Sequence, residues 1–193
     1  MKKPGMAHTF KTDYAFNIEE ESWQPWHNWL SHHGRRIMDH ALEKALADTS
    51  EHIDNACFEI NVLLIGDPQI RDINRAFRGK DTATNVLSFP QFDTPEELEN
   101  ALAQDCADEN GEDQTLLLGD IVLSYETIEQ QAEAAPVTMH DHLAHMLVHG
   151  LLHLLSYDHQ FDREAQEMES LECDILNAFG IKSPYTISRS MAY

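Results

Sequence analysis

Residues 138–159 read Thr138-Met139-His140-Asp141-His142-Leu143-Ala144-His145-Met146-Leu147-Val148-His149-Gly150-Leu151-Leu152-His153-Leu154-Leu155-Ser156-Tyr157-Asp158-His159, and hold six of the twelve histidines in a chain of 193 residues. A helix from Thr138 to about Leu155 fits this run, with the polar Ser156-Tyr157-Asp158 beyond its end. Residues four apart on a helix stand one turn above each other, so His149 and His153 can aim ring nitrogens at one ion. The same holds for His145 and His149. If the chain turns after Leu155, His159 comes back toward the pair. Three neutral imidazoles would then leave a fourth position for water or substrate, as in a catalytic rather than a structural zinc site. Spacing alone does not choose the ligand pair, and in so histidine-rich a chain it leaves solvated or core histidines open as well.

Working outward, a last helix runs from Asp162 to Phe179 and is stopped by Gly180. Upstream, Leu116 to Ser124 is an apolar strand, and Tyr125 to Ala134 a helix that must end near Pro136. Phe58, Ile60, Val62 and Leu64 alternate in another strand, ended by Gly66-Asp67-Pro68. Asp67 is suited to cap a helix with Pro68 at its first position, running to about Phe77 before Gly79. Thr84 to Phe89 is a short strand halted by Pro90. The chain opens with alternation from His8 to Ile18, which puts Phe10, Thr12, Tyr14, Phe16 and Ile18 on one side. Ser22 then caps a long helix bearing Trp23, Trp26, Leu30, Ile37, Leu42 and Leu46, with Gly34 as its breaking point. The order β, α, β, α, β, β, α, α, α predicts an α+β fold: a single domain over 1–193, with about four strands in a mixed sheet packed by helices and a metal site near the end of the penultimate helix.

Charge sets a boundary on partners. Thirteen Lys and Arg against 34 Asp and Glu give −21 with histidine neutral, which disfavours nonspecific binding to polyphosphates or anionic membranes. Nine of the acids lie in residues 93–115, which contain no base and read as an acidic, flexible insertion with a short helix near Glu96 to Leu102. Setting those nine aside leaves 25 acids against 13 bases, or −12. Locally the picture differs, because Arg71, Arg75 and Arg78 share a helix face with Lys80 just beyond, placing four of the thirteen bases in ten positions. Cys57, Cys106 and Cys173 are too few and scattered for a disulfide framework. No signal sequence or membrane span is legible, so a reducing, cytoplasmic location without membrane association is expected.

The string His149-Gly150-Leu151-Leu152-His153-Leu154-Leu155-Ser156-Tyr157-Asp158-His159 closely resembles the H-G-x-L-H-L-x-G-Y-D-H signature of the YbeY family of bacterial rRNA-maturation endoribonucleases. Phe77-Arg78-Gly79-Lys80-Asp81 followed by Thr84-Asn85-Val86-Leu87-Ser88-Phe89-Pro90 resembles that family's R-x-x-D and T-[DN]-V-L-S-F-P segment, and Leu118-Gly119-Asp120-Ile121 its L-G-D-[IL] strand. Together they span roughly residues 58–180. The resemblance implies that His149, His153 and His159 bind one zinc ion, that His145 is not a ligand, and that Arg78 is functionally important. It further implies a single-stranded RNA substrate from the small ribosomal subunit and a ribosomal or assembly-factor partner. Nickel or copper would accept the same three donors. The chain departs from the signature at Ser156, where the family carries glycine at a helix end that often takes a left-handed residue, and in the length of its acidic stretch.

The residues also bear on the reaction. His-x-x-x-His with a third histidine six residues on is shared with zinc peptidases, but their general-base glutamate is Gly150 here, which disfavours peptide hydrolysis. A phosphodiester needs a metal and cations to offset charge on the phosphate, and Arg78 suits that role, since a guanidinium binds phosphate oxygens in pairs. Arg71, Arg75 and Lys80 are further candidates for RNA contact, or else a solvated helix face. Asp158 could orient a ligand or simply form the turn. The rival from another class is a noncatalytic ribosome-assembly factor whose metal braces the last two helices.

Overall fold

The alternating residues Phe58, Ile60, Val62 and Leu64 are fully buried in a central strand. In the computed structural model, which describes residues 10–47, 56–105, 115–158, 161–182 and Tyr185, β2 (Cys57–Ile65) lies between β1 (Lys11–Ile18) and β4 (Thr115–Ser124) and runs parallel to both. The strand β3 (Val86–Pro90) pairs antiparallel with β4, so the mixed sheet has the order β1-β2-β4-β3. This is the α+β architecture expected. Close approach of β3 to β4 depends on Gly119: its φ is 135°, and a Cβ there would lie 2.2 Å from the Phe89 carbonyl oxygen. Glycine is the residue that tolerates both demands.

Alternation divides the apolar side chains between two faces. On one face, Ile121 and Leu123 of β4 join the large core under α2 (Arg35–Ala45), α6 (Met139–Leu154) and α7 (Asp162–Ala178). On the other, Val122 with Ile65, Ile70 and Leu87 forms a smaller cluster beneath α3 (Asp67–Arg78). Each such side chain contributes roughly 1.5–3 kcal/mol when fully buried. The helix α6 is pressed onto the sheet at Gly150, where a Cβ would come within 2.9 Å of Ile121 Cγ2. The Ser88 hydroxyl of β3 donates to the Gly150 carbonyl at 3.0 Å. These contacts set the end of α6 beside β3. No described helix is long and apolar enough to cross a membrane.

Several local expectations are corrected. Ser22 does not cap one long helix: Glu20 is the cap and accepts from the Ser22 N–H, and a 3₁₀ segment Glu21–Trp26 leads through α1 (His27–Trp29) and a π segment Leu30–Gly34 into α2. Gly34 therefore continues the helix instead of breaking it. A Cβ there would stand 3.3 Å from Leu147 Cδ1, so the glycine serves close packing on α6. The cap of α3 is Gly66, and Asp67 instead accepts from the hydroxyls of Ser124 and Thr127, both at 2.6 Å. The third strand starts at Val86 rather than Thr84 and includes Pro90 at its end, where a missing N–H is tolerated on an edge strand. Within the acidic stretch, α4 (Pro95–Asp105) is longer than the short helix expected, and its Leu98 and Leu102 are buried in the main core. That part is docked rather than solvated. Residues 106–114, with Cys106, and the expected start of the first strand at His8 lie outside the described residues. The helix α5 (Tyr125–Ala134) matches its expected bounds.

Candidate metal centre and cleft

The centre is organised by a residue not foreseen from the sequence. Glu172 lies on the apolar face of α7 with Met168, Ile175 and Leu176, and its side chain is fully buried. His149 Nδ1 stands 2.8 Å from Oε1 and His145 Nε2 stands 3.1 Å from Oε2. The Tyr185 hydroxyl also donates to Oε2. Burial by itself would raise the Glu172 pKa, but hydrogen bonds and charge from His145 and His149 outweigh it and hold the carboxyl down to about 2. An ionised carboxylate can only accept, so the proton between it and His149 sits on Nδ1. This leaves the lone pair of a neutral His149 on Nε2. That atom lies 3.1 Å from His153 Nε2. Two imidazole nitrogens so placed either share a proton or turn both lone pairs to one cation, and a carboxylate behind the first ring is the usual arrangement for a ligating histidine. The donor set fits a borderline divalent metal such as zinc.

A second donor set overlaps the first. One ligand atom from each of His145, His149 and Glu172 lies within 4.8 Å of the other two. It differs in access. His149 and His153 line a cleft of about 670 Å³, whereas His145 and Glu172 are absent from its walls. An ion among His145, His149 and Glu172 would face buried carboxylate, not substrate. The remaining described histidines of the run are used elsewhere: His140 rests against Trp26 and Trp29, with ring centroids at 4.7 and 5.5 Å, and His142 donates to Gln131 Oε1 at 2.9 Å. Burial, then the neighbouring His145, pushes the His142 pKa down to about 4. His159, expected as the third ligand, lies outside the described residues.

The other walls of the cleft come from β3, from the turn Ser156-Tyr157-Asp158, and from Phe77 and Arg78 at the end of α3. The α3 helix stops there because Gly79 takes the left-handed conformation, with φ 68°. The four bases of the predicted cluster separate in space. Arg78 lines the cleft and forms no ion pair with a described residue. Arg71 is held by Asp81 through two hydrogen bonds, at 2.9 and 3.1 Å, and Arg75 by Asp72 at 2.7 Å and Asp81 at 3.5 Å. The Arg71 hydrogen bond is the main cause that lowers the Asp81 pKa. Neither arginine, nor Lys80, lines the cleft.

The position after His149 leaves no room for a glutamate. It faces Ile121, where even a methyl group would collide, so that position has no access to the cleft. The end of α6 is a left-handed turn at Ser156, with φ 65°. Ser156 N donates to His153 O at 3.1 Å and Tyr157 N to Leu152 O at 3.0 Å, the two bonds of a Schellman ending. That turn directs the chain along the cleft wall after His153. The signal for Glu172 was present in the sequence, since an acid occupies the buried stripe Met168, Ile175, Leu176, but charge on a helix otherwise reads as solvated.

A family model described as Endoribonuclease YbeY matches residues 18–180. A protein named Endoribonuclease YbeY from Agrobacterium fabrum is 36% identical over 173 residues, covering 90% of this chain and 94% of that protein. One of the same name from Allorhizobium ampelinum is 37% identical over 175 residues, covering 91% and 95%. Another, from Bartonella bacilliformis, is 40% identical over 153 residues, covering 78% and 88%.

Proposed function

The chain belongs to the YbeY family, and from that premise we propose that it is a metal-dependent endoribonuclease cutting single-stranded RNA in the cleft between α3, β3 and the end of α6. The observation that carries the reading is the meeting of Arg78, which has no ion-pair partner among the described residues, with the His149–His153 pair on one cleft. In this proposal His149, His153 and His159 hold one zinc ion, and nickel or copper would fit the same donors. When bound, the ion supplies a Lewis acid for a phosphoryl oxygen and lowers the pKa of an attacking water. Glu172 keeps the proton of His149 on Nδ1 and so turns the Nε2 lone pair to the ion. Arg78 binds the nonbridging oxygens of the phosphate and offsets the charge that grows there. Arg71 and Arg75, already neutralised by aspartates, add little to RNA binding.

The substrate in this reading is rRNA of the small ribosomal subunit, met in the cytoplasm during ribosome maturation. A net charge of −21 supports weak affinity for free RNA, improved by a ribosomal or assembly-factor partner. The test is metal content by elemental analysis together with cleavage of a single-stranded RNA, for the wild type and His153→Ala. Loss of both in the variant supports the reading, and equal metal or undiminished cleavage overturns it. One observation favours a second reading. Of the set His145, His149 and Glu172 only His149 lines the cleft, and Glu172 is fully buried, an arrangement that suits a bracing ion in a noncatalytic assembly factor. Metal retained in His153→Ala but lost in Glu172→Gln would establish that alternative.

A further inference from the structure

Among the described residues, only two large apolar side chains are prominently exposed, Phe77 and Phe161, and Phe77 is 72% exposed. It is not loose. Its ring meets Phe89 of β3 edge to face, with centroids 5.1 Å apart and planes at 69°. Phe89 in turn packs against the buried cluster of Ile65, Ile70, Leu87 and Val122. The ring is thus held against Phe89 while most of its surface faces solvent, on the wall of the cleft that also holds Arg78, His149 and His153. Stability gains nothing from this exposure, since a polar residue at the last turn of α3 would leave the cluster below intact.

We propose that Phe77 is a stacking platform for an unpaired base of the nucleic acid whose phosphate Arg78 binds. This deepens the endoribonuclease reading and rests on it. Consecutive residues, with Cα atoms about 3.8 Å apart, present a flat apolar surface and a cation, which together match the base and the phosphate of one nucleotide or of adjacent ones. Every base has a π face, so the platform is tolerant of sequence. In a duplex both faces of a base are covered by its neighbours, so the platform admits only a nucleotide that is out of the stack. Phe77 is therefore the residue through which this cleft selects single strands, whatever the sequence around the cut.

The test measures binding and cleavage separately. Single-stranded DNA octamers, which lack the 2′-hydroxyl, are compared by fluorescence anisotropy with versions carrying one abasic position walked along the strand. Cleavage is followed on the matching RNA. Base–aromatic stacking predicts that wild type binds the octamer abasic at one position roughly 10-fold more weakly than the intact one. Phe77→Ala and Phe77→Leu bind the intact octamer as weakly as that, with no further loss at the abasic position, and Phe77→Trp restores both affinity and sensitivity. Metal content stays at the wild-type level in all three. Wild-type affinity and intact abasic sensitivity in Phe77→Ala, or equivalence of Leu with Phe, overturns the platform. Base-dependent binding through Phe77 without any RNA cleavage would instead sink the endoribonuclease reading and leave the platform standing.

Discussion

His145 and His153 stand one helical turn on either side of His149, are chemically identical, and are put to different uses by the fold. His153 turns Nε2 toward His149 Nε2 on the open cleft. His145 instead donates to the buried Glu172, and its Nδ1 is buried without a hydrogen-bond partner among the described residues. Helical periodicity treats the two as equivalent, and what separates them is the partner each meets on another element. The same contrast recurs on α3, where Asp81 takes up Arg71 and Arg75 and leaves Arg78 to the cleft. In both cases three like residues share one face, and tertiary contacts separate those that line the cleft from those held by carboxylates away from it.

The sharpest way to break this comparison is to remove each histidine in turn. His153→Ala is expected to abolish stoichiometric metal and to lower RNA cleavage by at least about 100-fold, since the Lewis acid goes with it. His145→Ala is expected to keep the metal, because His149 retains its bond to Glu172. Elemental analysis of both variants decides the matter. Metal lost on removing His145 and kept on removing His153 would reverse the assignment and place the ion among His145, His149 and Glu172.

The arginines offer the next largest contrast. Arg78→Ala is expected to reduce kcat by roughly 100-fold, the scale for deleting a donor to developing charge, with bound metal unchanged. Arg71→Ala is expected to leave kcat within about twofold, as exposed ion pairs carry little energy. Steady-state cleavage by both variants checks this, and equal losses would mean that the whole helix face serves RNA.

Much of the fold that makes this division was legible in the sequence. The alternation in β2 and β4, the glycine and proline punctuation around α3, and the bounds of α5, α6 and α7 follow from local chemistry that the fold does not override. The entry into α2 was not legible. The helix passes from 3₁₀ through π to α, and its Gly34 packs on Leu147, a contact between residues distant in sequence. Glu172 was missed for the same reason: its meaning depends on two histidines 23 and 27 residues away. Motif resemblance pointed to His149, His153 and Arg78, which the structure brings to one cleft. Neither motif nor spacing shows that Asp81 withdraws Arg71 and Arg75, because an ion pair made after a left-handed turn at Gly79 leaves no periodic trace.

Glu172→Gln sharpens the histidine comparison from the buried side. The amide keeps the shape of the side chain but replaces one acceptor oxygen with an NH2, so it cannot accept from His145, His149 and Tyr185 together. If it supports His149 from behind, metal affinity should fall by about 10–100-fold without vanishing, as read by competition with a chromophoric chelator. Complete loss would make Glu172 itself a ligand.

The smallest effect concerns the turn that carries the chain away from His153. The helix α7 ends through the same pair of hydrogen bonds as α6, from Gly180 N to Asn177 O and from Ile181 N to Leu176 O, with Gly180 at φ 74°. At the matching position α6 has Ser156, at φ 65°, and its buried hydroxyl oxygen finds no hydrogen-bond partner among the described residues. A left-handed residue with a Cβ costs about 1–2 kcal/mol, and an unsatisfied buried hydroxyl adds about 1 kcal/mol or more. Against this, glycine frees the unfolded chain by about 0.4–1 kcal/mol. Ser156→Gly is therefore expected to stabilise the protein by about 1–2.5 kcal/mol, a rise in Tm of about 2–4 °C for each kcal/mol in a chain of this size. Urea unfolding of the two forms measures it. A destabilised variant would show that the serine makes a contact in the folded state that outweighs its backbone strain, and that the two helix ends differ in more than their residue.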